Sequence, residues 1–178
     1  RRHLIEKIVE QDENLTKKYL QGEEISVDQL KRVLRQAVIS YKLVPVFSGA
    51  ALRNKGIQAL LDGVVEYLPS PIELPPVEGF DPKDETKRLI RQAKDDQPFT
   101  ALAFKVATDP YVGQLTYFRI YSGILKAGSY VLNSTNNEKE RIGRILSMHA
   151  KDREDVKEMY AGEIAATVGL KNTSTGDT

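Results

Sequence analysis

The stretch Phe99–Val131, FTALAFKVATDPYVGQLTYFRIYSGILKAGSYV, constrains this chain more than any other. Apolar and polar residues alternate on both sides of Asp109-Pro110, the pattern of strands with one buried face. Gly113, Gly123 and Gly128 stand where hairpins must turn. From Pro98 onward the period stays at two, which predicts strands over 99–107, 115–122, 129–133, 139–148 and 163–170. Gly162 and Gly169 mark further turns or bulges. Short strands in close succession, with no helix between them, predict a closed or nearly closed antiparallel barrel.

The first 68 residues follow a different period. Leu4, Ile5, Ile8 and Val9 recur at helical spacing, as do Leu15, Tyr19 and Leu20. Gly22 interrupts the pattern. Ser26-Val27-Asp28-Gln29 is a helix start, with Gln three residues after the capping Ser. Leu30, Val33, Leu34 and Ala37 form the apolar face of that helix, and the charges opposite read as solvated surface. Leu43-Val44-Pro45-Val46-Phe47 predicts a short buried strand, at an edge or a strand start because Pro45 cannot donate to a ladder. Ile57, Leu60, Leu61, Val64, Val65 and Leu68 predict an amphipathic helix stopped by Pro69-Ser70-Pro71. Strand, turn and helix make half of an α/β unit.

Between these halves, residues 69–96 read as a linker. Pro69, Pro71, Pro75, Pro76 and Pro82 favour extended backbone. Asp81 to Asp96 is charge-dense and expected to be an exposed surface connection. The fold class is therefore α+β in two parts: a helical and α/β portion over 1–68, a linker over 69–96, and an antiparallel β-barrel over 97–178. The chain opens on Arg1 without Met and stops within a strand pattern at Thr178, so both ends are expected to be cuts.

Composition excludes several functions. The chain has 26 basic and 25 acidic residues, a formal charge of +1, so any nucleic-acid contact must come from a local patch. Cysteine is absent, which removes disulfides, thiolate metal sites and cysteine nucleophiles and suits a reducing compartment. No apolar run reaches the ~18 residues of a membrane span. His3 and His149 have no ligand cluster at metal-binding spacing, so no metal site is expected. The chain also contains no G-x-x-x-x-G-K-[ST], no Asp-x-x-Gly and no Asn-Lys-x-Asp. A phosphate cradle and its magnesium partner are therefore missing, and the chain alone is not expected to hydrolyse a nucleotide.

Two groups of residues invite functional readings. Arg119, Lys126, Arg141, Arg144, Lys151 and Arg153, with His149 nearby, form a basic set within the barrel pattern. Guanidinium forks suit phosphate oxygens. Glu138, Glu140, Asp152, Glu154 and Asp155 are interleaved, so the set reads equally as surface ion pairs or as an RNA contact. The aromatics Phe99, Phe104, Tyr117, Phe118, Tyr121 and Tyr130 alternate like barrel core, with a base-stacking platform as the alternative. Tyr111 and Tyr117 are the least clearly assigned.

The 99–131 run, together with GRILSMHAKDRE and AGEIAATVGLKNTSTGDT, closely resembles the second domain of a translational GTPase, most closely elongation factor G. Residues 41–68, through PVFSGAALRNKGIQALLDGVVEYLPSP, resemble the last strand and helix of that family's nucleotide domain. The helices of 1–40, including LTKKYLQGEEIS, resemble its inserted helical segment, and favour elongation factor G over Tu. The resemblance implies a piece of a P-loop GTPase domain followed by the translation-factor barrel. It implies that Ala50, Ala51 and Leu52 lie at the family's last guanine-recognition loop. Ala50 stands where the family usually has Ser. It implies GTP or GDP with Mg2+ in the parent protein, with neither bound by this fragment. It implies cytoplasmic action on the ribosome, the barrel touching small-subunit RNA and a ribosomal protein, and contacts with other domains of the same chain. GTP-dependent translocation of tRNA and mRNA would be the parent's task. Related ribosomal GTPases for rescue, drug protection or termination share this barrel, and a freestanding RNA- or protein-binding barrel is a third reading.

Overall fold

The computed structural model describes residues 1–109, 112–149 and 152–178, and for Glu85 the backbone alone. They form two units, Arg1–Ser70 and Pro71–Thr178.

In the first unit, helices α1 (Arg2–Val9), α2 (Glu13–Leu20) and α3 (Val27–Ile39) enclose a small core of Ile8, Val9, Leu15 and Val33. Side-chain caps define where the helices begin. Asp12 accepts from Leu15 N–H at 2.9 Å, satisfying one of the donors a helix start leaves open. Ser26 and Gln29 form the capping box expected from their spacing: Ser26 Oγ accepts from Gln29 N–H at 3.3 Å, and Gln29 Oε1 accepts from Ser26 N–H at 3.1 Å. Helix α4 (Ile57–Tyr67) is joined to α3 by Lys31 Nζ and Glu66 Oε1, 2.6 Å apart.

The strand expected at Leu43–Phe47 is not formed. Val44 and Val46 are 82% and 91% exposed, and the Phe47 ring rests on α4 at Gly63. A strand needs a neighbour for its N–H and C=O groups, and among the described residues none lies beside this run. Helix α4 likewise buries only Gly63 and Tyr67, leaving Leu61 and Val65 exposed.

The stretch read as a bare linker carries structure. Strands β1 (Val77–Asp81) and β2 (Asp84–Arg91) pair antiparallel as a hairpin, from Val77 opposite Arg91 to Asp81 opposite Asp84. Asp81 Oδ1 accepts from Lys83 N–H at 3.0 Å, so a charged residue makes the turn.

Strands β3 (Thr100–Asp109) and β4 (Gly113–Ser122) form the long hairpin anticipated from the alternation. They are followed by β5 (Leu125–Lys126), β6 (Tyr130–Asn133), β7 (Glu138–Arg141), β8 (Ile145–His149), β9 (Asp152–Val156), β10 (Glu158–Met159) and β11 (Ile164–Val168). The larger sheet runs β3-β4-β11-β8-β9, while β5 pairs with β10 and β6 with β7. All pairings are antiparallel. Among the described residues the ladders fall into one five-stranded sheet and two-stranded ribbons. Phe118, Ile120, Leu125, Ile142, Ile145, Met159, Ala165 and Leu170 fill the space between them.

Several expectations are corrected here. The acidic run after His149, for which the period-two reading gave no strand, forms β9 and β10. Phe104 is 41% exposed because the register shifts between Ala103 and Lys105, a bulge that turns it out of the core. The single strand expected over 139–148 is cut in two at Ile142–Arg144. A Cβ on Gly143 would lie 2.9 Å from Val168 O, so the chain passes the end of β11 at a point with no room for a side chain. Gly123 is similar: its φ is +74°, and a Cβ there would meet Phe99 Cα at 2.6 Å.

Candidate nucleic-acid interface

The structure disperses the basic residues. Arg153 on β9 donates through Nη1 to Asp109 Oδ1 at 3.1 Å and through Nη2 to Oδ2, a two-pronged pair joining β9 to the end of β3. Arg144 lies 3.8 Å from Asp155, with both side chains more than half exposed. Arg119 sits on β4 between Leu102 of β3 and Ile164 of β11. Its guanidinium stands 5.7 Å from the Tyr121 ring centre, and its buried Nε has no partner among the described residues. Lys151 and Tyr111 lie outside the described residues. His149 is exposed, with Nε2 3.4 Å from Ser147 Oγ.

The turn that follows Lys126 reaches Arg141, while Lys126 itself pairs opposite Glu158 in the β5–β10 ladder. The turn from Lys126 to Ser129 lies against the base of the β6–β7 hairpin, where Ile142 N–H donates to Ser129 O at 2.9 Å. The Arg141 guanidinium passes over Gly128, 4.0 Å from where a Cβ would stand. Tyr130 is directly opposite Arg141 in the ladder, and Leu132 opposite Lys139. Strand geometry puts all four on one face. Tyr130 is 61% exposed, and Lys139 Nζ stands 4.9 Å from its ring centre.

The acids of the same run turn to the other face. Glu140 is buried, and its Oε2 accepts from Lys171 N–H at 2.7 Å and Asn172 N–H at 3.1 Å. Thr173 Oγ1 donates to Glu140 Oε1 at 2.5 Å. Asn133 Nδ2 then donates to Asp177 Oδ2 at 2.8 Å, so a polar chain fastens 171–177 to the hairpin. Burial pushes the Glu140 carboxyl up, but the Thr173, Asn172 and Lys171 donors outweigh it and hold it below its usual range. Asp177 is also held low, chiefly by Ser174 N–H and then by Asn133. Glu138 is occupied by Asn172 Nδ2.

Lys139 lies outside the basic set drawn from the sequence, and Tyr130, expected in the core, stands at the surface. The sequence nonetheless carries a signal for both. Glu138-Lys139-Glu140-Arg141 alternates in sign with period two, and a strand sends the two signs to opposite faces.

The loop at Ala50–Leu52 is compact. Ala50 N–H donates to Lys55 O at 2.9 Å and Lys55 N–H to Ala50 O at 3.2 Å. Ala51–Arg53 is a single 3-10 turn, and the Leu52 side chain is fully exposed. With Ala50 N–H engaged, only Ala51 and Leu52 of the three can offer a backbone donor. Those two N–H groups are the donors a ligand at this loop would meet.

A cavity of about 690 Å³ lies between β1–β2 and strands β3, β4 and β6. None of the described basic candidates lines it. Thr116 Oγ1, buried on its wall, has no partner among the described residues. Among the described residues, no helix is long and apolar enough to cross a membrane.

A family model described as elongation factor G domain 2 matches residues 98–178. A crystal structure of a protein from Thermus thermophilus is similar over 99% of this chain, with a TM-score of 0.71 and 31% sequence identity. The chain spans 24% of that protein's length. Residues 98–178 are thus similar to elongation factor G domain 2, and the chain shares its fold with part of the Thermus protein.

Proposed function

We propose that this chain is part of a GTP-dependent elongation factor that moves tRNA and mRNA through the ribosome in the cytoplasm. The observation carrying the reading is the match of residues 98–178 to elongation factor G domain 2. In this reading, residues 1–68 are the end of the nucleotide domain with its helical insertion. Residues 97–178 are a scaffold resting on small-subunit RNA and a ribosomal protein. Ala50, Ala51 and Leu52 would face the guanine of GTP or GDP in the parent, whose phosphates and Mg2+ are held elsewhere. The fragment itself binds and positions; it does not hydrolyse GTP.

Two measurements test this. The full-length parent should hydrolyse GTP faster with ribosomes than without and should advance mRNA by one codon. The 178-residue chain should co-sediment with small ribosomal subunits and show no GTP turnover above buffer. A parent that splits peptide from tRNA, or releases a drug, without advancing mRNA would assign it to another ribosomal GTPase.

A further inference from the structure

We infer that the outer face of the β6–β7 hairpin takes an unpaired RNA base on Tyr130, with Arg141 and Lys126 on the flanking phosphates. This deepens the ribosomal reading and rests on it for the source of the RNA.

Charge sorting points to this face. Over 138–141 the sequence is neutral, yet the strand separates its signs. Glu140 is enclosed by Lys171 N–H, Asn172 N–H and the Thr173 hydroxyl, and Glu138 is taken by Asn172. Lys126, Lys139 and Arg141 are exposed and have no carboxylate within ion-pair distance among the described residues. Arg144 and Arg153 are engaged by Asp155 and Asp109. Of the basic set, Arg119 lies apart on β4, while Lys126 and Arg141 remain beside Lys139 without an ion pair among the described residues. The nearest acid in the ladders is Glu158, opposite Lys126 and bonded by the Tyr160 hydroxyl.

The aromatic points the same way. Tyr130 is more than half exposed between two cations, where it contributes little to the core. Lys139 lies over the ring, and most of the ring remains open to a flat partner. Bases stack on such rings irrespective of sequence. Phosphate is the ligand for the Arg141 fork, and Gly128 beneath it leaves the guanidinium unobstructed. An acidic protein surface would satisfy the cations but leave the ring without a π partner, so RNA fits the whole face better. Bases within an A-form duplex are stacked already, which selects a loop, bulge or single strand.

The test uses the 178-residue chain, a short uridine strand, the same length of duplex RNA, and small ribosomal subunits. Fluorescence anisotropy should show binding to the single strand in preference to the duplex. Tyr130→Ala should weaken it about tenfold with the salt slope unchanged, and Tyr130→Trp should preserve it. Lys126→Gln with Arg141→Gln should reduce the logarithmic salt slope by about 1.4, and Arg144→Gln should leave it alone. Circular dichroism verifies that each exposed-face variant is folded. Unchanged affinity in folded Tyr130→Ala, equal duplex binding, or equal competition by polyglutamate overturns the inference. Subunits that bind wild type and Tyr130→Ala alike also overturn it and leave the ribosomal reading standing. Tyr130-dependent binding of the strand without subunit binding supports the RNA face and overturns the ribosomal reading.

Discussion

Arg153 and Asp109, forty-four positions apart, are joined by two parallel hydrogen bonds that tie β9 to the end of β3. Both side chains are largely shielded, at 28% and 16% exposure. Asp109 Oδ1 also accepts from Val112 N–H at 3.1 Å, so one carboxylate organises a strand end and a strand pair. A residue that reads as an RNA contact in sequence is a structural tie here. We expect Arg153→Ala to cost about 1–3 kcal/mol in urea unfolding, with subunit binding preserved once the protein is folded. Arg144→Ala, whose partner is 3.8 Å away in solvent, should cost less than about 0.5 kcal/mol.

Glu140 should be the most sensitive polar position in the second unit. Glu140→Ala strips an acceptor from two backbone N–H groups and the Thr173 hydroxyl, and we expect a loss of about 1–3 kcal/mol. The carboxyl is depressed in the folded state. Its contribution is therefore complete above the ordinary carboxylate range of about 4 and is lost as pH falls through the depressed value. Thermal unfolding across pH should show wild type and Glu140→Gln far apart at neutrality and converging in acid.

In the first unit, the capping box offers a local test. Ser26→Ala removes the acceptor for Gln29 N–H and should destabilise the helical unit by about 1 kcal/mol. Hydrogen exchange at the first turn of α3 should accelerate, while β3 and β4 remain unaffected.

The run Val44–Phe47 should exchange its amides much faster than Phe118–Ile120, because it pairs with no strand among the described residues while β4 is hydrogen-bonded on both sides. Equal protection would mean that the run is strand-paired in solution.

These cases show which features a sequence declares. The Ser26 box and the β3–β4 alternation are local: one is four residues long, the other repeats every second residue. The β1–β2 hairpin was hidden because Asp81 to Lys87 is almost wholly charged or polar, and its pairing rests on backbone rather than on an apolar face. Leu43–Phe47 erred in the opposite direction, since apolar composition promises a strand but cannot supply its neighbour. The Arg153–Asp109 tie depends on contact across the fold, which spacing does not encode. On the hairpin, counting acids against bases averaged away what the alternation of Lys139 and Arg141 with Glu138 and Glu140 would have separated.

The tight passage at Gly143 separates the aim of the β6–β7 hairpin from the identity of its exposed side chains. Where backbone meets Val168 O with no space for a methyl, the direction in which the hairpin leaves the sheet is decided without side chains. If the face binds RNA as proposed, substitutions at 126, 130, 139 and 141 would change what it prefers while its aim stays constant. Retuning the ligand does not require rebuilding the mount.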